Sequence, residues 1–197
     1  LATIPIDTEY VLVEIGTNNL GEIAELSKIV KPDYVVITDV SIGHMEGLKS
    51  LDNIVQEKAS ICLGQKHMGT AILPSDIEKF SQLKAKVEDF GSKVISFGED
   101  ESSDLRISNI EVLRDVITST ILDQEQNLWN IKLKTAGKHY MKNAAGLLAL
   151  VASLKLNSSK AISALQNWSP LAGRGQVLEI KLKDGNCNIS IKLIDES

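Results

Sequence analysis

The predicted fold depends most on Val11-Leu-Val-Glu14-Ile-Gly16-Thr-Asn18-Asn-Leu-Gly21-Glu22-Ile23, an apolar run closed by a carboxylate and a glycine-containing turn. Short apolar, β-branched runs between turn-forming residues are typical of strands buried in a parallel sheet, so Tyr10 to Val13 is predicted to be such a strand. Side chains at the carboxyl ends of strands in open α/β sheets face the ligand-binding crevice. Glu14 is therefore a candidate metal or phosphate-site residue; alternatively, it is a solvated strand end or caps the turn.

Helices and strands alternate on either side of this first turn. The pattern predicts a helix from Gly21 to Val30 ended by Lys31-Pro32, a strand from Tyr34 to Thr38, a helix from Ser50 to Leu63, a strand from Ala71 to Leu73, a helix from Ser75 to Val87 with Ser75 as its N-cap, and a strand from Lys93 to Phe97. This order makes βαβ units, which favour a parallel sheet with right-handed crossovers.

The pattern changes after the polar loop Glu99 to Asp104. The second half is predicted to contain strands from Leu105 to Val112 and Asn127 to Lys134, a helix from Lys142 to Leu156, a helix capped by Ser158 or Ser159 that reaches Trp168, and strands from Val177 to Leu182 and Asn188 to Ile194 around the hairpin signal Asp184-Gly185. The predicted fold class is α/β, with a mostly parallel sheet, helices on both faces and a small antiparallel subsheet.

Composition excludes some classes of function. The 197 residues suffice for one substantial domain or two small ones, and the formal charge of -5 with 4% aromatic residues argues against nucleic-acid binding. No apolar run approaches the ~20 residues of a membrane span, and the first residues lack the basic and apolar regions typical of a signal peptide, so no membrane association is predicted. Cys62 and Cys187 match no metal spacing. Buried thiols in a cytoplasmic protein are expected, and a bridge between them stays open.

A second polar turn follows the second predicted strand. It reads Asp39-Val-Ser-Ile-Gly43-His44-Met-Glu46-Gly47, and it is expected to converge with the turn after Glu14. A carboxylate and an imidazole together can bind a divalent metal, which makes Glu14 and His44 a candidate pair. The alternative is that His44 is structural.

Three spaced motifs resemble, in their order, the central domain of the Mur ligase family. They are Glu14-Ile-Gly16-Thr-Asn18-Asn-Leu-Gly21-Glu22-Ile23, then Gly43-His44-Met-Glu46-Gly47-Leu-Lys-Ser50, and then Lys58. Within the family, the resemblance is strongest to the ligases that add D-alanyl-D-alanine to UDP-N-acetylmuramoyl tripeptide in peptidoglycan synthesis. It implies an enzyme that uses ATP and Mg²⁺ and forms an amide through an acyl phosphate.

The resemblance also implies roles for individual residues. Glu14 and His44 match the family's magnesium ligands, and Lys58 matches the lysine that becomes carbamylated, so these three are the expected catalytic and metal residues. A carbamate is anionic and can lie near Mg²⁺, where an ammonium would be repelled. A solvated helix lysine is the alternative for Lys58.

Other matched residues are expected to contact the nucleotide or substrate. They are Asn18, His139, Asn143, Arg174 and Glu196. His139 and Asn143 match a Gly-x-His-Asn-x-x-Asn pattern whose asparagine contacts adenine, but Tyr140 replaces its first asparagine, so this contact rests on Asn143. Arg174 matches an arginine near the phosphates, and Glu196 matches an acidic ribose contact.

A glycine-rich phosphate loop ending in Gly-Lys-Thr or Gly-Lys-Ser is part of the family pattern and does not occur here. The resemblance therefore implies that residues 1–197 are a central ATP-binding domain, incomplete at the N-terminal end, without the N-terminal UDP-substrate domain and the C-terminal domain. Such a fragment is expected to be inactive alone and to expose a sheet edge through which two copies could associate. The alternatives are another Mur ligase, folylpolyglutamate synthase, or a non-catalytic remnant or binding module.

Overall fold

The computed structural model describes residues 4–41, 48–66, 68–170, 176–184 and 187–195, the last two ranges by their backbone alone. The chain divides into two compact units, Leu1–Phe97 and Gly98–Ser197. Parallel strands and helices alternate in the first unit, and antiparallel strands predominate in the second. The predicted α/β class, a helix-flanked parallel sheet with an antiparallel subsheet, is confirmed.

The first unit follows the predicted alternation of helices and strands. Its described elements are α1 (Glu22–Val30), β1 (Tyr34–Val36), α2 (Leu51–Ala59), a 3₁₀ helix (Ser60–Gly64), β2 (Thr70–Pro74), α3 (Phe80–Asp89) and β3 (Lys93–Gly98). Parallel pairing sets Tyr34 opposite Thr70, and Thr70 opposite Lys93. The middle strand β2 is therefore hydrogen-bonded on both sides, which explains its short, continuously apolar sequence.

The core of this unit lies between the sheet and helices α2 and α3. Its completely buried members are Leu48, Ile54, Val55, Ala59, Ala71, Leu73, Leu83 and Val87. Ser50 is the N-cap of helix α2, and its hydroxyl accepts a hydrogen bond from the Asn53 amide at 3.2 Å. This N-cap satisfies one of the donors that the first helical turn leaves free. The helix therefore starts where the sequence predicts.

Helix α1 ends at Lys31, which has a left-handed backbone (φ 52) and donates its amide to the Ser27 carbonyl at 2.7 Å. Pro32 follows and cannot continue the helix. On its buried side, α1 packs against the 3₁₀ helix, where the Ser27 hydroxyl donates to the Ile61 carbonyl. Gly64 approaches Ser27 so closely that a Cβ there would lie 2.1 Å from the Ser27 carbonyl oxygen.

The prediction of a buried strand from Tyr10 to Val13 is wrong. These residues form no strand, and their exposed fractions are 63%, 54%, 93% and 40%. An apolar run becomes a buried strand only where neighbouring strands supply backbone hydrogen bonds and helices cover its faces. None of the strands in the described part of the chain pairs with this segment.

The prediction that Ser75 caps the third helix is also wrong. Helix α3 begins at Phe80, and both the amide and the hydroxyl of Ser75 donate to the Phe97 carbonyl, at 2.8 and 3.0 Å. Ser75 thus extends the contact between β2 and β3. The Ser75 hydroxyl thus bonds a neighbouring strand, and helix α3 starts later than its sequence pattern suggests, with Lys79 at its N-cap position.

The second unit contains an antiparallel sheet, two helices and a separate hairpin. Its described elements are β4 (Leu105–Leu113), β5 (Val116–Asp123), β6 (Leu128–Leu133), α4 (Lys138–Ser153), α5 (Ser158–Asn167), β7 (Gln176–Asp184) and β8 (Cys187–Asp195). Helix α4 begins earlier than predicted, and Asn157, rather than Ser158 or Ser159, caps α5 by accepting from the Lys160 amide at 3.0 Å. None of the described helices is long and apolar enough to cross a membrane.

Strand β5 was not predicted from the sequence. Its buried positions are Ile117, Ser119 and Ile121, so a serine interrupts the alternation of apolar residues that identifies a half-buried strand. The Ser119 hydroxyl donates to the Ser108 carbonyl of β4 at 2.8 Å, which satisfies it inside the sheet. Helix α4 packs on β4 and β5 through the small or apolar residues Met141, Ala144, Ala145, Leu148 and Ala149.

Candidate functional site

The half-buried lysine Lys58 lies near the end of α2 and reaches the turn that follows β1. Its Nζ donates to the Asp39 carbonyl oxygen at 2.7 Å. Burial lowers the pKa of the Lys58 ammonium below its ordinary 10.5, and the negative charge of Asp39 partly opposes this shift. The environment therefore raises the share of neutral amine, which is the nucleophilic form of lysine.

The preceding residue, Glu57, turns toward the other strand-end turn. It is 2% exposed, and its two carboxylate oxygens accept hydrogen bonds from the Gly21 amide at 2.6 Å and the Ile23 amide at 2.8 Å. Helix α1 has no side-chain cap of its own at Gly21. A carboxylate from α2 thus caps α1, where it also meets the positive end of the helix dipole.

A second carboxylate, that of Glu22, binds amide groups of the same turn. It accepts from the Asn18 amide at 2.8 Å, the Asn19 amide at 3.2 Å and the Asn19 side-chain amide at 2.7 Å. These hydrogen bonds, with the Asn19 side chain foremost, lower the pKa of Glu22 from 4.5 to about 2. Because the chain's own carboxylates occupy four amides of this turn, those donors cannot form a phosphate-binding loop.

Glu14 lies before this turn and is exposed. Within the described residues, its carboxylate has no hydrogen-bond partner, whereas Glu22 and Glu57 are fully engaged. A free carboxylate is the kind of oxygen donor that Mg²⁺ prefers. No three His, Cys, Asp or Glu side chains in the described ranges are grouped as a metal site, and His44 lies outside those ranges.

The predicted nucleotide residues that the structure describes lie on α4 and in the first turn. His139 and Asn143 are exposed and one helical turn apart, so they share a face of α4. The Asn18 side chain is also exposed, and only its backbone amide binds Glu22. Arg174 and Glu196 lie outside the described residues.

Tyr140, which departs from the family pattern, belongs to an aromatic cluster. Its ring centroid lies 4.0 Å from that of His139 and 5.1 Å from that of Trp168. A Cβ on Gly137 would come within 2.7 Å of the His139 ring and 2.9 Å of the Tyr140 ring. Glycine therefore leaves room for these rings over the start of α4.

Helix α2 thus contacts both turns through two adjacent residues. Glu57 binds the turn after Glu14, and Lys58 binds the turn after β1. Sequence reasoning identified Lys58 and missed Glu57 and Glu22. Glu57 lies three residues after Ile54, so the predicted helix puts a carboxylate on its apolar face. A charge on such a face needs partners, which was the available clue to Glu57.

Comparison with known proteins identifies the family. The model of the Mur ligase middle domain matches residues 1–151. The chain belongs to the Mur ligase family. This Mur ligase chain is 24% identical over 182 residues to the UDP-N-acetylmuramoyl-tripeptide–D-alanyl-D-alanine ligase of Rickettsia prowazekii, covering 92% of the chain and 40% of that protein. It is 30% identical over 152 residues to the ligase of the same name from Buchnera aphidicola, covering 77% of the chain and 33% of that protein. The chain spans well under half of these relatives.

Solved structures agree on the fold of this Mur ligase chain. A structure of MurF from Acinetobacter baumannii matches with a TM-score of 0.84 at 22% identity, over 98% of the chain and 40% of that protein. MurF of Thermotoga maritima, solved with ADP, matches with a TM-score of 0.74 at 22% identity, over 91% and 39%. At these identities the likeness establishes a shared fold.

Proposed function

We propose that this chain is the central, ATP-binding domain of a MurF-type ligase that joins D-alanyl-D-alanine to UDP-N-acetylmuramoyl tripeptide in peptidoglycan synthesis. In the whole enzyme, the tripeptide carboxylate takes the γ-phosphoryl group of ATP and releases ADP. The dipeptide amine then attacks this acyl phosphate, forms the amide and releases phosphate. Support comes from the relatives of that name, at 24% and 30% identity.

The environment of Lys58 is the observation that best supports this proposal. A half-buried amine with a lowered pKa, held at 2.7 Å from the Asp39 carbonyl, suits reaction with carbon dioxide. The ammonium first loses a proton, and the neutral amine then adds to carbon dioxide and loses a second proton to solvent, so that a cation becomes an anionic carbamate. A solvated lysine would stay protonated and react less readily at neutral pH.

Glu14, His44 and carbamylated Lys58 are the proposed catalytic and metal residues. The uncommitted Glu14 carboxylate and a carbamate both offer the oxygen donors that suit Mg²⁺. When bound, the ion would supply positive charge beside the transferred phosphoryl group. The chain's own part is to hold Lys58 on α2, which contacts the turn after Glu14 through Glu57 and the turn after β1 through Lys58.

The proposed nucleotide and substrate contacts are Asn18, His139, Asn143, Arg174 and Glu196. Asn143 and His139 are exposed on one face of α4, as a base-binding role requires. Tyr140 fills the position of the family's first asparagine and packs against its neighbours, so Asn143 provides the amide contact to adenine.

The 197 residues are proposed to correspond to the central domain of the ligase. No Gly-Lys-Thr or Gly-Lys-Ser sequence occurs in the chain. Without such a loop, the amides and lysine that hold the phosphates are missing. We therefore expect the chain alone to be inactive.

The test uses the full gene product with ATP, UDP-N-acetylmuramoyl tripeptide and D-alanyl-D-alanine. We expect ADP release that depends on both substrates and an amide product of the corresponding mass, while the 197-residue chain alone gives neither. Product from the isolated chain would refute the expected inactivity. A full gene product that uses only another amine, such as L-alanine or glutamate, would favour another Mur ligase or folylpolyglutamate synthase. If it turns over none of these substrates, the non-catalytic alternative gains support.

Two further expectations concern association and location. Strand β1 is at one end of the parallel strands of the first unit, and no described strand pairs with its outer edge. We propose that two copies of the chain associate through this edge, and a monomer at high concentration by light scattering would contradict this.

We also propose a cytoplasmic location, consistent with the buried free thiol of Cys62, whose pKa burial raises to about 11.

A further inference from the structure

Glu57 is a buried carboxylate to which the proposed chemistry assigns no role. It is 2% exposed, although a charged group without partners inside a protein costs several kcal/mol. Its neighbours on α2, Ile54, Val55 and Ala59, are completely buried. An apolar residue at position 57 would therefore extend the packing of this face, so the position of the charge calls for an explanation.

The hydrogen bonds of Glu57 all lead to the turn that follows Glu14. One oxygen accepts from the Gly21 amide at 2.6 Å, and the other from the Ile23 amide at 2.8 Å and the Thr17 hydroxyl at 3.4 Å. Hydrogen bonds to a charged acceptor are among the stronger ones in proteins. The carboxylate thus holds this turn against α2.

The next residue on the same helix makes the second connection. Lys58 donates to the Asp39 carbonyl at 2.7 Å, in the turn that follows β1. Successive residues of an α-helix differ by about 100° around its axis, so fixing Glu57 also fixes the direction in which Lys58 leaves the helix. Two adjacent side chains therefore connect α2 to the two turns.

We infer that Glu57 is a positioning residue, which sets the place of Lys58 relative to the turn after Glu14 and thereby prepares both for a divalent cation. This inference rests on the proposed function of Lys58 and Glu14. The role needs both carboxylate oxygens. A glutamine at this position keeps one acceptor and directs an NH₂ group at a backbone N–H, which breaks one of the two short hydrogen bonds.

The test compares Glu57→Gln with Glu25→Gln in the full gene product. Glu25 is a matched control, because it is an exposed carboxylate in the first turn of α1, paired with Lys28. Carbamate on Lys58 is measured by ¹³C NMR after addition of ¹³C-bicarbonate, with Lys58→Arg to assign the signal. Binding of Mn²⁺ without substrates is measured by electron paramagnetic resonance, and a melting curve establishes that each variant is folded.

We expect folded Glu57→Gln to bind Mn²⁺ about tenfold more weakly and to form less carbamate, as is usual when support behind a metal ligand is removed. Glu25→Gln should match the wild type. Wild-type values in folded Glu57→Gln would overturn the inference, since a merely structural role lowers the melting temperature and leaves the folded site unchanged.

Glu57→Asp serves if the glutamine variant does not fold. It keeps the charge but shortens the side chain by one methylene, and the same losses are expected. Unchanged carbamate and Mn²⁺ binding in this variant would equally overturn the inference. Absence of both carbamate and Mn²⁺ binding in the wild type would instead contradict the proposed function on which the inference rests.

Discussion

Lys58 is half-buried near the end of α2, and its ammonium loses hydration there, while none of the described carboxylates lies at hydrogen-bond distance from it. Its contact is the neutral carbonyl oxygen of Asp39 at 2.7 Å. Burial consequently lowers its pKa. A folded-state pKa below that of the unfolded chain means that the ammonium form destabilises the fold, so this residue reduces stability in exchange for reactivity.

The substitution Lys58→Met tests this exchange. In carbon dioxide-free buffer at neutral pH, we expect the variant to have a larger free energy of unfolding than the wild type, because the penalty for the buried ammonium is gone. The wild type gains stability as the pH rises through its lowered pKa toward 10.5, so the difference should shrink over that range and vanish above it. Urea unfolding at several pH values measures the difference.

The same variant should lose ligase activity in the full gene product by about 100-fold or more, since the metal's stabilisation of the transition state is worth several kcal/mol. Lys84→Met is the control, because Lys84 is an exposed lysine on α3. A difference in stability that stays constant with pH would contradict the assigned cause, and full activity would contradict the assigned role.

Helix α1 and the 3₁₀ helix approach more closely than side chains would allow. Gly64 lies against the backbone of Ser27, and the Ser27 hydroxyl binds the Ile61 carbonyl. Because Glu57 lies on the helix immediately before this 3₁₀ segment and caps α1, the close approach and the cap act on the same pair of elements. A change that moves α1 away from the 3₁₀ helix should therefore disturb the whole turn that follows Glu14.

Gly64→Ala is expected to lower the free energy of unfolding by about 1–3 kcal/mol, the usual cost of overpacking. Its Cβ would lie 2.1 Å from the Ser27 carbonyl oxygen, a backbone atom that cannot move without moving α1. Gly16→Ala is the control, since a Cβ there meets nothing within 4 Å. Chemical denaturation measures both variants. Equal stabilities for the two would show that the helices separate at no cost.

At the scale of the whole chain, the alternation of helices and strands could be predicted wherever local pattern and tertiary environment agree. Helix α1, with its Lys31-Pro32 end, is such a case, as is the hairpin of β7 and β8. Prediction from the sequence pattern failed where contacts between residues distant in the chain decide the secondary structure. Ser75 binds the Phe97 carbonyl and α3 begins at Phe80, the buried Ser119 interrupts the apolar alternation of β5, and none of the described strands pairs with Tyr10 to Val13.

The candidate site shows the same division. Motifs in the sequence identify four candidate site residues, because residue type and spacing suffice to recognise them: Glu14, Lys58, His139 and Asn143. Glu57 and Glu22 could not, since their importance comes from amides brought to them by folding. The roles of all these residues, and of His44, Arg174 and Glu196, are predictions.

The two compact units have different spectroscopic reporters, because both tryptophans, Trp129 and Trp168, belong to Gly98–Ser197. Leu83→Ala in the first unit should cost about 2–5 kcal/mol, as expected for a completely buried leucine. We expect it to lower the thermal midpoint seen by circular dichroism and leave the tryptophan-fluorescence midpoint unchanged. Leu148→Ala, in the core of the second unit, should move the fluorescence midpoint. If Leu83→Ala shifts both probes equally, the units unfold as one.

The adjacency of Glu57 and Lys58 on α2 also limits which changes in length the chain tolerates. One residue inserted between Ser50 and Glu57 would rotate both side chains by about 100° and advance them by about 1.5 Å. Neither the Gly21 amide nor the Asp39 carbonyl would then be met. The loop between β3 and β4 is exposed from Glu99 to Ser102, and the Ser102 amide donates to the Asp100 carboxylate at 2.8 Å within the loop itself. Related sequences should therefore vary in length there while the spacing from Ser50 to Lys58 stays constant.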